Sequence, residues 1–487
     1  MKKTDPNTED LTKGSSEDLT KGPQEDLTQG PLLKKLLAFV LPLILTNFLQ
    51  FCYSAADMIV VGFSDVEGAI GAIGTTNAMI NLVLNTFIGL SVGANVIVSR
   101  NIGKGDREAV SRAVHTSLLV SLFCGVICVF IGLAINRPIL TLMGDQGHVL
   151  DLAVTYSSLY FAGAPFLAAT NFLSAIFRAK GDTKTPLAVL TMAGLVNVIL
   201  NFFFVLGFGM SVDGVAIATA ISNLISAVVL TVLLSRDKGM CRFSFKKLRV
   251  TKQELVDIIY IGLPAGLQGA VFDLSNMLLQ SSIIGINNVV CPGGSAIIDG
   301  NAAASSLEGF AYTATNSVYQ GAVTFVSQHY GAKKYRRIWK VQRCCYLTSA
   351  VIALICMGII FGFRPLLVGL YVDNDLAMQA AFTRINIVIG SYVLLSAMET
   401  GSGVLRGLGR SLTSTIVSLL GSCALRVVWV FTVFRAFPTL EVVYLCYPIS
   451  WLVTSLTHLI CSVIVRRRLI RRSEENKNFE EEPIRLA

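Results

Sequence analysis

From Leu36 to Phe63 the sequence is apolar with few interruptions, and eleven more runs of this kind follow it. The twelve fall at about 36–63, 69–97, 112–134, 152–177, 186–206, 212–235, 253–285, 301–328, 341–363, 380–405, 412–434 and 441–465. A helix rises about 1.5 Å per residue, so roughly 20 residues cross the ~30 Å hydrocarbon core of a bilayer. Runs of that length argue against a soluble core, whose helices alternate apolar and polar faces. Composition agrees: 53% of the 487 residues are hydrophobic and 15% are charged, where soluble domains carry about 45–50% and about 25%. The fold class expected is an all-α polytopic membrane protein with twelve transmembrane helices.

Basic residues sort the loops. One alternate set carries Arg100, Lys104 and Arg107, then Arg178, Lys180 and Lys184, then Arg236 through Lys252. It continues with Lys333 through Arg343, Arg406 and Arg410, and Arg466 to Arg472. The other loops and span ends hold little beyond Arg137, Arg364, Arg384 and Arg435. The positive-inside rule puts the first set in the cytoplasm together with both termini, which requires an even number of spans. The net charge of +9 then reports topology, with a modest attraction to anionic lipid; nucleic acid explains it poorly. The eleven cysteines lie mostly within spans and form no CxxC pair or Cys/His cluster, so neither a disulfide framework nor a structural metal is expected.

The amino terminus repeats an eight-residue unit three times, "EDLTKGSSEDLTKGPQEDLTQG", from Glu9, Glu17 and Glu25. It has no apolar segment and so is not a cleavable signal peptide. Its polar, glycine-containing composition predicts a disordered cytoplasmic leader over residues 1–31. An expanded repeat without a task is the first reading, a docking tag the second.

A longer repeat organises the rest. A shift of 228 positions places Ser99 on Ser327, Gly103 on Gly331, Arg178 on Arg406, Gly181 on Gly409 and Ile221-Ser222 on Ile449-Ser450. "LP" at 41–42 meets "LP" at 263–264 with a few residues of slip. The offset spans an even number of runs, so two six-helix lobes share one orientation: 32–235 and 253–468, with a basic cytoplasmic linker at 236–252 and a cytoplasmic tail at 469–487. Parallel repeats are a common plan for transporters, whose ligand sites lie near the repeat interface.

Polar side chains inside the runs mark candidate sites, because lipid penalises each one. Thr46, Gln50, Tyr53 and Asp57 share a helical face, at steps of four, three and four. Asn77, Asn81 and Asn85 do so in the second run, and Asn197 and Asn201 lie one turn apart in the fifth, with Thr219 in the sixth. In the second half Asp273, Asn276 and Gln280 form one stripe, and Glu308, Tyr312, Asn316 and Tyr319 another. Glu399 and Arg426 stand within the tenth and eleventh runs. Gln50, Tyr53, Asp273, Asn276, Gln280, Glu308, Asn316 and Glu399 are the candidate substrate cavity. Glu308 is read equally as a ligand, a proton carrier or a brace. Glu399 is read as a brace for nearby Arg406, and Arg426 as the partner of a carboxylate or of carbonyls.

"GKGD" at 103–106 and "KGDTKT" at 180–185 suggest phosphate grips, but nothing in the chain fits GxxxxGK[ST]. A nucleotide-driven pump is therefore unsupported, and tight turns suit these stretches better. No Ser/His/Asp or paired-acid arrangement suggests an enzyme, and the four histidines are scattered.

"LPLILTNFLQFCYSAADMIVVGF", "SVGANVIVSRNIGKGDREAVSRAV", "FRAKGDTKTPLAVLTMAGLVNVILNFFFVLGFGMSVDGVAIATAIS" and "VLRGLGRSLTSTIVSLLGSCALRVVWVF" closely resemble the multidrug and toxic compound extrusion (MATE) family. The resemblance runs from about residue 32 to 468, and "AAASSLEGFAYTATNSVYQGAVTFVSQHYGA" looks like a bacterial branch. It implies a multi-pass antiporter of the bacterial inner membrane, two six-helix lobes exporting amphipathic, cationic organic compounds against protons or sodium. A monomer without cofactor is expected. In some members a first-span Asp, an Asn and an Asp in the fifth span and a Thr in the sixth bind the coupling cation. Asp57, Asn197, Asn201 and Thr219 match those positions, except that Asn201 stands where the second Asp is usual. Proton sharing between two carboxylates is then absent, while sodium still finds oxygen donors but one negative charge fewer, and proton coupling is the preferred reading. A lipid-linked oligosaccharide flippase of the same superfamily is the alternative. It would need a cationic cavity, whereas the charges within the runs read as mostly acidic, with Arg426 the main exception.

Overall fold

A computed structural model describes residues 26–64, 66, 68–142 and 147–481. The first half contains α1 (Leu32–Val61), α2 (Ala69–Lys104), α3 (Arg107–Leu142), α4 (Gly147–Ala162), α5 (Ala164–Ala179), α6 (Lys184–Phe202) and α7 (Val212–Ser235). The second contains α8 (Lys252–Val290), α9 (Ala296–Gly331), α10 (Tyr335–Gly369), α11 (Asp375–Ile387) and α12 (Tyr392–Gly407). It ends with α13 (Ser411–Ser418), α14 (Leu425–Trp429) and α15 (Leu440–Glu481). No strand occurs among the described residues.

Several helices join end to end. α4 and α5 meet at Gly163 with a 48° bend. A short 3-10 turn, Ile389–Ser391, links α11 to α12, and π-helical turns at Leu419–Ala424 and Val430–Phe434 flank α14. Counted as continuous rods, the described helices match the twelve runs. Ten of them are long and apolar enough to cross a membrane, or eleven with the bent pair taken as one. The remaining rod, α9, is 36 residues long but buries Asn301, Thr315, Ser317, Thr324, Ser327 and Gln328 inside the protein. A helix surrounded by protein is not selected for apolarity by lipid. The lipid-facing rods show the converse, with Phe123 and Phe130 of α3 and Leu347 and Leu366 of α10 exposed.

The 228-residue repeat is visible in hydrogen bonds. Ser99 Oγ donates to Ala179 O (3.4 Å), and its mate Ser327 Oγ donates to Gly407 O (3.3 Å). The glycines at the shared offset adopt the same left-handed turn, with φ of +90° at Gly181 and +75° at Gly409. The π-helical turn Phe203–Gly207 that ends the α6 rod recurs near the matching place as Val430–Phe434. Such turns free backbone groups locally and are common at functional sites.

The halves meet along α2, α8 and α9, at the end of the bundle that carries the basic loops. A Cβ on Gly89 would lie 2.1 Å from Gly266 N, and one on Gly93 would lie 2.3 Å from Ile258 O. A Cβ on Gly262 would lie 2.7 Å from Leu90 Cα. α2 and α8 therefore touch backbone to backbone, which only hydrogen side chains permit. Nearby, Gly103 faces Gln328 O and Gly331 faces Arg100 O, a reciprocal pair at the 228-residue offset.

Two segments depart from the expected boundaries, the tail and the leader, while the basic linker keeps its bounds and is packed: Cys241 and Phe243 are buried in the first-half core. His115 Nδ1 donates to Ser111 O (2.6 Å), and its Nε2 accepts from the Ser244 N–H (3.1 Å). The tail expected from 469 continues α15 as helix through Glu481. Residues 26–31, expected in a disordered leader, are docked, with Leu27 fully buried; the two earlier repeat units lie outside the described residues.

Candidate functional site

The first site lies among α1, α6 and α7. Asn201 Nδ2 donates to Asp57 Oδ1 (2.5 Å) and to Asn197 Oδ1 (3.3 Å), and Asn197 Nδ2 donates to Thr219 Oγ1 (3.3 Å). The four residues that the sequence singled out on three separate runs form one continuous chain. Asn201 is fully buried, Asn197 nearly so, and Asp57 is partly covered. Asn201 Oδ1 is buried without a donor. Among the described hydrogen bonds Asp57 receives one, from Asn201. The site therefore holds more acceptor oxygen than donor hydrogen, the imbalance that a proton or a small hard cation would correct.

Tyr53 sits one turn before Asp57 and is held against α6. Its hydroxyl donates to Thr191 O (3.2 Å), and a Cβ on Gly194 would lie 1.9 Å from its ring. The stripe on α1 thus divides: Tyr53 and Asp57 face α6, while Thr46 and Gln50 line a cavity of about 360 Å³ between the first half and α9. Tyr53, expected in the substrate cavity, lines neither this cavity nor the one between α2 and the second half.

A second cavity of about 480 Å³ opens between α2 and the second half. Tyr312, Asn316 and Tyr319 of α9 and Ile88 and Val92 of α2 line both cavities, so α9 and α2 together border them. Asp273, Asn276, Gln280, Glu308, Asn316 and Glu399 all face this second cavity. Asn85 Nδ2 donates to Asp273 Oδ2 (2.8 Å), linking α2 to α8. Of the other α2 asparagines, Asn81 is exposed, and the side chain of Asn77 lies outside the described set.

Two acids of this cavity have different surroundings. Glu308 is braced: Arg384 Nη2 reaches its Oε2 at 2.6 Å with both side chains largely buried. Arg384 Nη1 also donates to Asn301 Oδ1 (2.6 Å), which accepts from the Tyr444 hydroxyl (2.9 Å) as well. Asn301 Nδ2 in turn donates to Gln280 Oε1 (2.9 Å). Glu399 is not braced by Arg406. That arginine donates instead to the Tyr319 hydroxyl and to Gln268 Oε1 (2.9 Å), and no ion pair forms on Glu399 among the described residues. Arg426 donates through Nη1 to Asn276 Oδ1 (3.0 Å) and through Nε to Ser450 Oγ (3.3 Å), and its guanidinium lies over the Tyr447 ring at 4.4 Å. It has a side-chain carbonyl and a hydroxyl but no carboxylate.

The cavity is therefore not mostly acidic. Arg384, Arg406 and Arg426 line it alongside Asp273, Glu308 and Glu399, and Arg178 lines the neighbouring cavity. Arg384, expected at a span end, lies about two and a half turns into its helix, because the run starts nearer 375 than 380. The offset that pairs Arg178 with Arg406 was the available signal for those two. No group of three or more His, Cys, Asp or Glu that could hold a metal occurs among the described residues.

Known proteins resemble this architecture along most of the chain. The MatE family model matches residues 42–203 and 274–432. "Probable multidrug resistance protein YoeA" of Bacillus subtilis (strain 168) is 26% identical over 428 residues, covering 86% of this chain and 90% of that protein. "Multidrug export protein MepA" of Staphylococcus aureus (strain COL) is 24% identical over 388 residues, covering 80% and 84%. A solved structure described as the outward-facing conformation of a multidrug resistance MATE family transporter of the MOP superfamily superposes with a TM-score of 0.85 at 20% identity. It is matched over 93% of this chain and 99% of its own. A MOP superfamily transporter from Pyrococcus furiosus, reported with reversed pocket polarity suggesting a different function, gives 0.85 at 20% identity over 92% and 99%.

Proposed function

The chain belongs to the MatE family, and from that premise we propose that it is a secondary active exporter of amphipathic organic compounds, driven by cation exchange at Asp57. The observation that carries this reading is the surplus of acceptors at Asp57 and Asn201, with Asn201 Oδ1 buried and undonated. A proton satisfies it by converting one carboxylate oxygen of Asp57 into a donor. Sodium would need several oxygens at once, and Asn197 Oδ1 and Thr219 Oγ1 are already engaged by amide donors. Proton coupling is therefore the simpler use of this geometry.

With the basic loops cytoplasmic, the glycine seam closes the cytoplasmic end and the two cavities belong to the outward-facing arrangement. The cation moves the lobes only if it binds one arrangement more tightly than the other. Glu399, which lacks an ion pair, and Asp273, held by one amide, are the groups that would receive a cationic substrate. The three arginines of the second cavity do not exclude this, since each is engaged: Arg384 by Glu308, Arg406 by Tyr319 and Gln268, Arg426 by Asn276 and Ser450. They do remove the sequence-based ground for setting aside a flippase of anionic lipid-linked sugars, which becomes an outcome of the test.

The test is ethidium uptake by everted membrane vesicles carrying the wild type or Asp57→Asn, driven by a proton gradient alone or a sodium gradient alone. Proton-driven uptake by the wild type, with at least a tenfold loss in the normally expressed mutant, is expected. Sodium-driven uptake would reassign the ion. Equal uptake by both proteins would remove Asp57 from coupling, and no uptake of any cationic dye would favour the flippase.

A further inference from the structure

The third copy of the octapeptide repeat is built into the fold. Thr28 donates to Asp26 Oδ1 through its N–H (2.8 Å) and its hydroxyl (2.6 Å), closing a tight local turn. Leu27 is thereby turned inward and is fully buried with Leu36, Phe39, Val318 and Ile338. The foot of α10 grips the backbone that follows. Lys334 Nζ donates to Thr28 Oγ1 (2.7 Å) and Thr28 O (3.3 Å), and Arg337 Nη2 donates to Gly30 O (2.6 Å). Gly30 has φ +72°, which favours glycine, and Pro31 then starts α1 as its N-cap.

Each of these features can be checked against the other two units, which begin at Glu9 and Glu17. Both keep the Asp, Leu, Thr and Gly, as Asp10-Leu11-Thr12 with Gly14 and Asp18-Leu19-Thr20 with Gly22. Their one change within this stretch is Lys13 or Lys21 in place of Gln29, and Gln29 is exposed. Only the second unit also keeps the following proline, Pro23. The sequence therefore varies where the groove does not read it. Burial alone would raise the Asp26 carboxyl, but the Thr28 hydrogen bonds and the charges of Lys334 and Lys35 hold it below the usual carboxylate range. Its contribution is full above that range and fades only as the pH falls through the depressed value, so docking persists at neutral pH.

We propose that the groove between the foot of α1 and the α9–α10 turn is a docking site for the Asp-Leu-Thr-x-Gly unit, and that the second unit, residues 17–22, is its alternate occupant. The third unit holds the groove at rest because it needs no intervening loop. The second is tethered eight residues upstream, where a short linker gives an effective concentration on the order of millimolar. Eight residues at roughly 3.3–3.6 Å each add up to about 27 Å of reach. The polar grips Lys334 and Arg337 belong to the second half and the tethering α1 to the first, so the exchange would keep the halves joined as α1 moves. That last consequence rests on the transport reading; the docking does not.

The test is zero-length carbodiimide cross-linking of the full chain in nanodiscs, mapped by mass spectrometry, because Lys334 lies one hydroxyl away from the Asp26 carboxylate. The wild type should join Lys334 to Asp26. With the third unit disabled as Asp26→Asn, Leu27→Ala and Thr28→Ala, at least half of the Lys334 cross-link should move to Asp18. Adding Leu19→Ser should abolish the moved product, since the groove reads the leucine. Three results overturn the proposal: no product at Asp18, a product indifferent to Leu19→Ser, or products joining differently labelled chains in a mixture of isotopically heavy and light protein. None of these readouts requires transport, so failure here is distinguishable from failure of the exporter reading.

Discussion

Glu308 and Glu399 line the same cavity, yet of the two only Glu308 forms an ion pair among the described residues. Breaking a buried ion pair from one side leaves the partner charge unmatched, at a cost of about 3–5 kcal/mol. Glu308→Gln should therefore lower the thermal stability of the purified protein, and Arg384→Gln in the same chain should recover part of the loss. A mutant as stable as the wild type would show that Arg384 is satisfied by Asn301 alone. Glu399→Gln should behave differently, because no ion pair depends on it. Melting should change little while the apparent affinity for ethidium falls roughly tenfold, equivalent to about 1.4 kcal/mol. Unchanged affinity would move the cation contact to Asp273. At Asp57 the sequence was informative, because a 3.6-residue period places Tyr53 and Asp57 on one face without needing to know what lies opposite. The partner of Glu308 was not legible: a period gives direction around a helix but not which arginine of another helix comes within reach.

α2 and α8 are joined by glycines rather than by side chains, and the seam tolerates no addition on either side. In Gly93→Val the new Cβ would lie 2.3 Å from Ile258 O and 3.0 Å from Gly262 N. Both neighbours are backbone, so the helices must separate. The variant should favour the arrangement open at the basic end. In a cysteine-free background carrying Asn95→Cys, a maleimide added from the cytoplasmic face should label several times faster than without Gly93→Val, because Asn95 is buried beside Thr324 in the closed state. Equal labelling would mean that the closure does not depend on this seam. The existence of these rods was legible from run length, and most ends fell within a turn or two. Their interruptions were not: the 48° bend at Gly163 and the π-helical turns around α14 leave hydropathy unchanged. The docked residues 26–31 were missed for another reason. One buried leucine in a polar segment produces no period at all.

The two halves repeat one plan, and at the closed end they depart from it in charge. At the 228-residue offset Arg100 corresponds to Gln328, and each reaches across to the other half. Gln328 Nε2 donates to Ala179 O (2.8 Å), near the carboxyl end of α5. Arg100 lies over the Tyr330 ring at 4.8 Å and against Gly409, just past the end of α12, where a Cβ would meet its Nη2 at 2.2 Å. A cation near the carboxyl end of a helix gains from the helix dipole, by about 0.3–1 kcal/mol at exposed sites and up to roughly 2 where partly buried. The neutral amide of Gln328 gains only its hydrogen bond. Duplication made the geometry of this end legible in sequence, but not the charge difference between its two clasps. The Arg100 clasp should therefore contribute more to closure. Spin labels at Lys238 and Arg336, on the basic ends of opposite halves, would report the balance by their distance distribution. Arg100→Gln should add a population at longer distance, while Gln328→Ala should add less. The reverse order would assign the closure to the hydrogen bond on Ala179, and no change in either would leave it to the glycine seam and the Asp26–Thr28 strap.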